Sequence, residues 1–265
     1  MYTFEYLKPA SVADAVAALK SDPEAKAVSG GMTLLPTMKQ RLARPSKIVD
    51  LSGIAALRGI KVEGAKVTIG ALTRHYEVAT SAEVKKAIPA LVGLAEVIGD
   101  PAVRNRGTLG GSVANNDPTA DYPAACLALG ATIVTDKRRI AADDFFQGMF
   151  TTALEEGELI TAIEFPVPEK AAYVKFRNPA SRYAMVGVFV AKGPAGVRVA
   201  VTGAGQGGVF RHKQAEAALA KSWSADAVAG ITTPVDSLNS DIHASAEYRA
   251  HLIAVMAKRA VAAAG

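Results

Sequence analysis

Two short runs in this chain gather residue types that can hold an anion. The first is Ser29-Gly30-Gly31-Met32-Thr33-Leu34, which follows the apolar pair Ala27 and Val28. The second is Gly107-Thr108-Leu109-Gly110-Gly111-Ser112, with Asn115, Asn116, Asp117 and Asp121 close behind it. Adjacent residues without Cβ let a ligand come close to the main chain, and the free N–H groups at the start of a helix favour phosphate. Thr108 and Ser112 add hydroxyls, and the Asn and Asp side chains add acceptors suited to ribose hydroxyls or an adenine amino group. Taken singly, the first run is also readable as a tight turn with glycine for conformational reasons. The second is also readable as a polar Asx-turn loop between Val113 and a helix at Ala124. Together they suit a dinucleotide, which has one pyrophosphate and two ends to hold.

The elements that must position these runs follow from the apolar spacing. Phe4-Glu5-Tyr6 leads to a helix from Ser11 with Val12, Ala15, Val16 and Leu19 on one face, ended by Pro23. Ala27 and Val28 read as a strand, and Leu34, Leu35, Met38 and Leu42 as a helix with Thr33 as its N-cap and Pro36 in its first turn. A short strand at 47–51, a hairpin pairing 60–62 with 66–69, a helix capped by Thr73 and an apolar helical pattern over 85–98 come next. Strands that alternate with helices indicate α/β or α+β. His75 reads as a surface residue, and Tyr6, Tyr76 and Phe150 as core or subunit contacts.

A third glycine group, Gly203, Gly205 and Gly208, has the G-x-G-x-x-G spacing after an apolar strand at 197–201. A dinucleotide fold built on it needs a second parallel strand after the helix at 213–220, yet the remaining chain reads as helix and turn, so a glycine turn leaving a strand is preferred. The NAD-binding dehydrogenase built on Gly203 to Gly208 stays as the competing reading.

At 265 residues with 50% hydrophobic content, the chain can bury a sizeable core and form more than one domain. The net charge of +5 is scattered and aromatics make up only 6%, which argues against a nucleic-acid surface. The single cysteine, Cys126, excludes a disulfide frame, and it excludes an iron–sulfur cluster held by this chain alone, since a cluster takes about four thiolates. The start lacks a signal-peptide pattern, and the longest apolar run, 124–134, is too short to span a bilayer, so a soluble, cytoplasmic protein is expected.

The stretches SGGMTLLPTMKQRLARPSKIVDL and RNRGTLGGSVANNDPTADYPA, in this order and spacing, resemble the FAD-binding medium subunit of the molybdenum hydroxylases, the group of carbon monoxide dehydrogenase and xanthine dehydrogenase. The resemblance covers the whole chain and includes the ending SDIHASAEYRAHLIAVMAKRA. It implies an α+β protein in which two small α/β subdomains of the PCMH type, residues 1–57 and 58–170, sandwich FAD. A C-terminal domain, 171–265, would add a three-stranded antiparallel sheet with helices. It also implies residue roles. Ser29, Gly30, Gly31, Met32, Thr33 and Leu34 match the motif that holds the pyrophosphate with main-chain amides, and Thr108, Leu109, Gly110, Gly111 and Ser112 match the second motif. Asp121 matches an acidic position on the ribose or adenine side, and Ile98 and Ile160 match apolar ring contacts. Tyr183 matches an aromatic beside the isoalloxazine, with Lys175 in a similar region. Met32 departs from the family pattern, where His is usual.

What the resemblance implies for function is electron relay without catalytic residues or a metal of its own. Electrons would come from a small subunit with 2Fe-2S clusters and pass through FAD to an external acceptor. A large molybdopterin-binding subunit would complete the complex, as a dimer of heterotrimers. A flavin-binding carrier or regulator without enzymatic coupling is a further alternative.

Overall fold

The computed structural model describes residues 1–265 as an α+β protein built on three sheets and a small hairpin. The first sheet is parallel: Glu5–Leu7 and Lys26–Val28 flank Lys47–Asp50, in registers that set Glu5 opposite Lys47 and Lys26 opposite Ile48. Helix Val12–Lys20 covers it, started by Ser11, whose Oγ accepts the Asp14 N–H at 3.1 Å. Its core holds Ala15, Leu19, Val49, Leu51, Ile54 and Leu57, joined by Leu72 and Leu159 from the neighbouring unit.

The second sheet is antiparallel, in the order Ile60–Glu63, Lys66–Gly70, Ile160–Pro166, Thr132–Thr135, Arg139–Ala141. The helical pattern that follows its first hairpin is two helices, Ala82–Ala87 and Pro89–Glu96, not one. Ile88 precedes a proline and is pushed out of the helical region, which breaks the run there. Helix Tyr122–Leu129 is buried at all eight positions because it lies between this core and the third sheet.

That third sheet pairs Lys170–Arg177, Ala184–Gly193, Gly196–Thr202 and the two-residue strand Phe210–Arg211, all antiparallel. It therefore has one short strand more than expected. Along Ala184–Gly193 the side chains alternate between cores: Val186, Val188 and Val190 pack with the C-terminal helix Ala246–Ala264, while Phe189 and Ala191 pack with the second unit. Burial on both faces explains why that strand is apolar without a break. Gly203 to Gly208 lies in the turn between two antiparallel strands, Gly196–Thr202 and Phe210–Arg211. A Rossmann crossover is thereby excluded at this point, and with it the structural basis of the NAD reading. No helix is long and apolar enough to cross a membrane.

Candidate functional site

The two glycine runs meet. Gly30 lies so close to the segment at Arg106 and Gly107 that a Cβ on it would fall on the Arg106 carbonyl oxygen and 2.7 Å from Gly107 Cα. Thr108 Oγ1 donates to Ser29 Oγ at 3.0 Å, which ties the runs together by their side chains. Between them opens a cleft of about 820 Å³, within the range of small-molecule and cofactor sites.

The main-chain donors of the two runs play different parts. None of the N–H groups from Ser29 to Thr33 donates to a main-chain carbonyl, so five consecutive donors remain for a ligand at the cleft. Gly31 takes a left-handed φ of 72°, which lets the chain turn there from strand to helix Leu34–Lys39. Thr33 occupies the N-cap position of that helix, yet its side chain makes no capping bond; its residue is already in the helical region, where the hydroxyl does not reach the next turn.

The second run corrects the expected loop. Leu109–Asn115 is a helix, capped by Thr108 Oγ1, which accepts the Gly111 N–H at 3.2 Å. Leu109 N and Gly110 N donate to the Thr73 and Ala71 carbonyls at 3.0 and 2.9 Å. The first-turn donors of this helix are thus engaged within the chain, and Gly110 serves close packing, because a Cβ there would lie 2.5 Å from Ala71 Cβ. Gly111 keeps the space between Ser29 Oγ and Thr108 Oγ1 open. Thr73 also differs from expectation: Arg74 is the N-cap of helix His75–Thr80, and the Thr73 hydroxyl instead bonds the Gly59 main chain.

Of the residues singled out in the sequence, Ser29, Gly30, Gly31, Met32, Thr33, Leu34, Ile98, Thr108, Gly110, Gly111, Ser112, Asp121 and Ile160 line this cleft. Leu109 does not, being fully buried in the second core. Lys175 does not either: it stands behind Asp121, its Nζ 3.0 and 3.1 Å from the two carboxylate oxygens and only 2% of its side chain exposed. Tyr173 donates to the same carboxylate at 2.5 Å. Burial raises the Asp121 carboxyl, and the Lys175 ammonium and Tyr173 hydroxyl oppose that rise. Tyr183 lies outside the cleft lining, half-buried, with His243 edge-on at 6.2 Å. Its neighbours Ser181 and Arg182 nevertheless press on Gly99, which does line the cleft.

His75 is not the surface residue the sequence suggested. It is buried, lines the cleft and packs at 5.3 Å on the ring of Tyr122. Burial, with Arg104 adding to it, lowers its pKa to about 4, so the ring is neutral at pH 7, and its Nδ1 has no hydrogen-bond partner. Tyr6, Tyr76 and Phe150 are not core either: each is half or more exposed, and Phe150 sits on the cleft wall. The remaining wall that sequence reasoning missed is the segment 154–159, where Glu158 is held by Arg138 at 2.9 Å and its carboxyl falls to about 2, the Arg138 hydrogen bond being the main cause.

The family described as the FAD binding domain in molybdopterin dehydrogenase matches residues 2–168. The chain belongs to that family. It is 36% identical to the carbon monoxide dehydrogenase medium chain of Hydrogenophaga pseudoflava, over 98% of this chain and 96% of that one. It is 35% identical to the nicotine 6-hydroxylase medium subunit of Paenarthrobacter nicotinovorans, with the same coverage. Its fold superimposes on reconstituted CO dehydrogenase from Oligotropha carboxidovorans with a TM-score of 0.90 at 35% identity, covering 99% of this chain and 98% of that one. Quinoline 2-oxidoreductase from Pseudomonas putida 86 gives a TM-score of 0.88 at 30% identity, over 99% and 97%. The FAD-binding domain of this family is thus of the PCMH type, and the cleft between its first two sheets is the place where the residues fit FAD: unengaged N–H groups, glycines at the closest approach and an anionic side chain held at one end.

Proposed function

We propose that this chain holds FAD in the cleft between its first two sheets and passes electrons through it, within a molybdenum hydroxylase complex, from a partner iron–sulfur subunit to an external acceptor. The observation that carries the reading is the row of unengaged N–H groups from Ser29 to Thr33 facing the segment that starts at Thr108. Ser29, Gly30, Gly31, Met32, Thr33 and Leu34 hold the pyrophosphate. Thr108, Gly111 and Ser112 close the opposite wall, while Leu109 and Gly110 seat that wall on Ala71 and Thr73. Asp121 presents an acceptor to the sugar hydroxyls, kept in place by Lys175 and Tyr173. Ile98 and Ile160 supply apolar contact, and Tyr183 approaches from the C-terminal sheet. The lost side-chain polarity at Met32 leaves the main-chain role of that turn intact.

FAD exchanges electrons singly or in pairs, which lets a two-electron substrate reaction be joined to one-electron clusters. The protein's part is to bind, orient and partly shield it. No group of three or more His, Cys, Asp or Glu side chains is placed to hold a metal. One cysteine, buried and with its thiol raised by burial, supplies no cluster ligand set. The relatives named as medium chains or subunits support membership of a multi-subunit complex. In the proposed assembly a large molybdopterin-binding subunit and a small 2Fe-2S subunit are the partners, arranged as a dimer of heterotrimers in the cytoplasm. The proposed domain limits are 1–57, 58–170 and 171–265, although Lys170 already belongs to the first strand of the third sheet, Lys170–Arg177.

The expected result of anaerobic mixing is that the FAD-loaded chain alone stays oxidised with any substrate of its complex, and that addition of the partner subunits bleaches the flavin. Bleaching of the chain alone by substrate contradicts the relay.

A further inference from the structure

Residues Phe146–Gly148 and Thr151–Thr152 form a two-stranded hairpin whose tip is Met149-Phe150. Both tip side chains are exposed, Phe150 by 56%, although an unpartnered aromatic at a turn gains nothing from water. Phe150 also has a φ of 55°, a left-handed conformation that costs a non-glycine residue energy and persists only where its surroundings impose it. Asn116 imposes it. Its Nδ2 donates to Gly148 O at 2.8 Å and Thr151 O at 2.9 Å, and its main-chain carbonyl accepts the Phe150 N–H at 3.1 Å. Asn116 is itself buried and left-handed, as the C-cap of helix Leu109–Asn115. A strained aromatic is therefore clamped to the far end of the helix whose near end closes on the Ser29–Thr33 turn. Seven residues make that helix about 10 Å long, so the tip stands within reach of a ring system joined to phosphates held at that turn.

Two parts of the cleft wall differ. One is Ala25, Leu51, Leu57 and Leu159, all buried between the first two sheets. Another is Asn115, Asp117 and Phe150, which adjoin the hairpin tip through Asn116, and Gly99, which lies against Ser181 and Arg182 of the C-terminal region. A redox ring that meets a partner cluster and an acceptor belongs on the side of the exposed hairpin tip, and adenine on the enclosed side.

We propose that Phe150 is a ring-positioning residue, held by Asn116 at the hairpin tip so that its side chain contacts the isoalloxazine and not the adenine. The proposal rests on the FAD reading of the cleft, and the probes separate the two. Phe150→Gly suits the backbone, since glycine adopts the same φ without strain, so the variant chain keeps or gains thermal stability. Titrated into the full-length apo chain, FAD and FMN should each bind Phe150→Gly about three- to tenfold more weakly, the scale of one aromatic contact. ADP, which lacks the flavin ring, should bind parent and variant alike. Met149→Ala, with its side chain outside the cleft lining, should bind all three as the parent does. Phe150→Trp should quench the fluorescence of bound flavin beyond the parent, because an indole beside the ring donates an electron to its excited state. An equal loss for ADP puts Phe150 at the adenine end and overturns the proposal. So does unchanged FAD and FMN binding with unchanged fluorescence in Phe150→Trp. If FAD, FMN and ADP all fail to bind the parent chain, it is the FAD reading that fails.

Discussion

Gly30→Val is expected to abolish stoichiometric FAD binding. A Cβ at this position falls against main-chain atoms of Arg106 and Gly107, which belong to the opposite wall and are held there by the Leu109 and Gly110 hydrogen bonds to Thr73 and Ala71. Main chain cannot swing aside as a flexible side chain does, so the two walls separate. The Thr108–Ser29 hydrogen bond and the alignment of the Ser29–Thr33 donors are lost together. A weakening of about a hundredfold, or roughly 2.7 kcal/mol, is the scale expected when several charge-assisted donors are misplaced at once. The matched control is Gly207→Ala in the third glycine group, where a Cβ meets nothing within 4 Å. Flavin-to-protein ratios of the two folded variants check the point: near zero for Gly30→Val and unchanged for Gly207→Ala. Retention of full FAD by Gly30→Val means that the pyrophosphate lies elsewhere.

Lys175→Met is expected to lower the melting temperature by roughly 10 °C. Lys175 and Asp121 are both almost wholly buried, and removal of one partner leaves the other charge in the interior, at a cost of about 3–5 kcal/mol. In a chain of this size each kcal/mol moves the transition by roughly 2–4 °C. Because Asp121 lines the cleft and Lys175 does not, stability and ligand binding can be separated. The double variant Lys175→Met/Asp121→Leu removes the stranded charge and should recover much of the stability, yet its FAD affinity should remain low. Calorimetry and flavin titration of the single and double variants check both halves. If the double variant regains FAD affinity along with stability, Asp121 acts only on the fold.

How much of this was legible in the sequence differs from one residue to the next. The alternation Val186, Val188, Val190 against Phe189 and Ala191 shows a buried strand directly, because a pleated strand repeats every two residues. The two glycine runs were visible as a pair, but their roles were not. Their types suggest that both offer N–H groups to phosphate, whereas the second run spends its donors on Thr73 and Ala71, which only the tertiary fold brings near. Similarly, nothing within a few residues of His75 announces burial, since Gly107 and Tyr122, which cover it, come from distant segments. Lys175 reads as a ligand contact because it shares a region with Tyr183, yet its partner is Asp121 across the interface of two sheets. Phe150 had a weak signal: an apolar pair after a glycine, where a turn should be polar. The family resemblance supplied the order of the site residues, and the geometry supplies which of them face the cleft.

The central claim is that the Ser29–Leu34 turn and the segment from Thr108 form one FAD cradle, and titration of apo chain with FAD tests it most directly. The account predicts saturation at one FAD per chain, competition by ADP through the shared pyrophosphate, and release of all the flavin on acid precipitation, because neither glycine run contains a His or Cys to bond it. No binding, binding that ADP leaves untouched, or yellow colour retained in the acid pellet would contradict it.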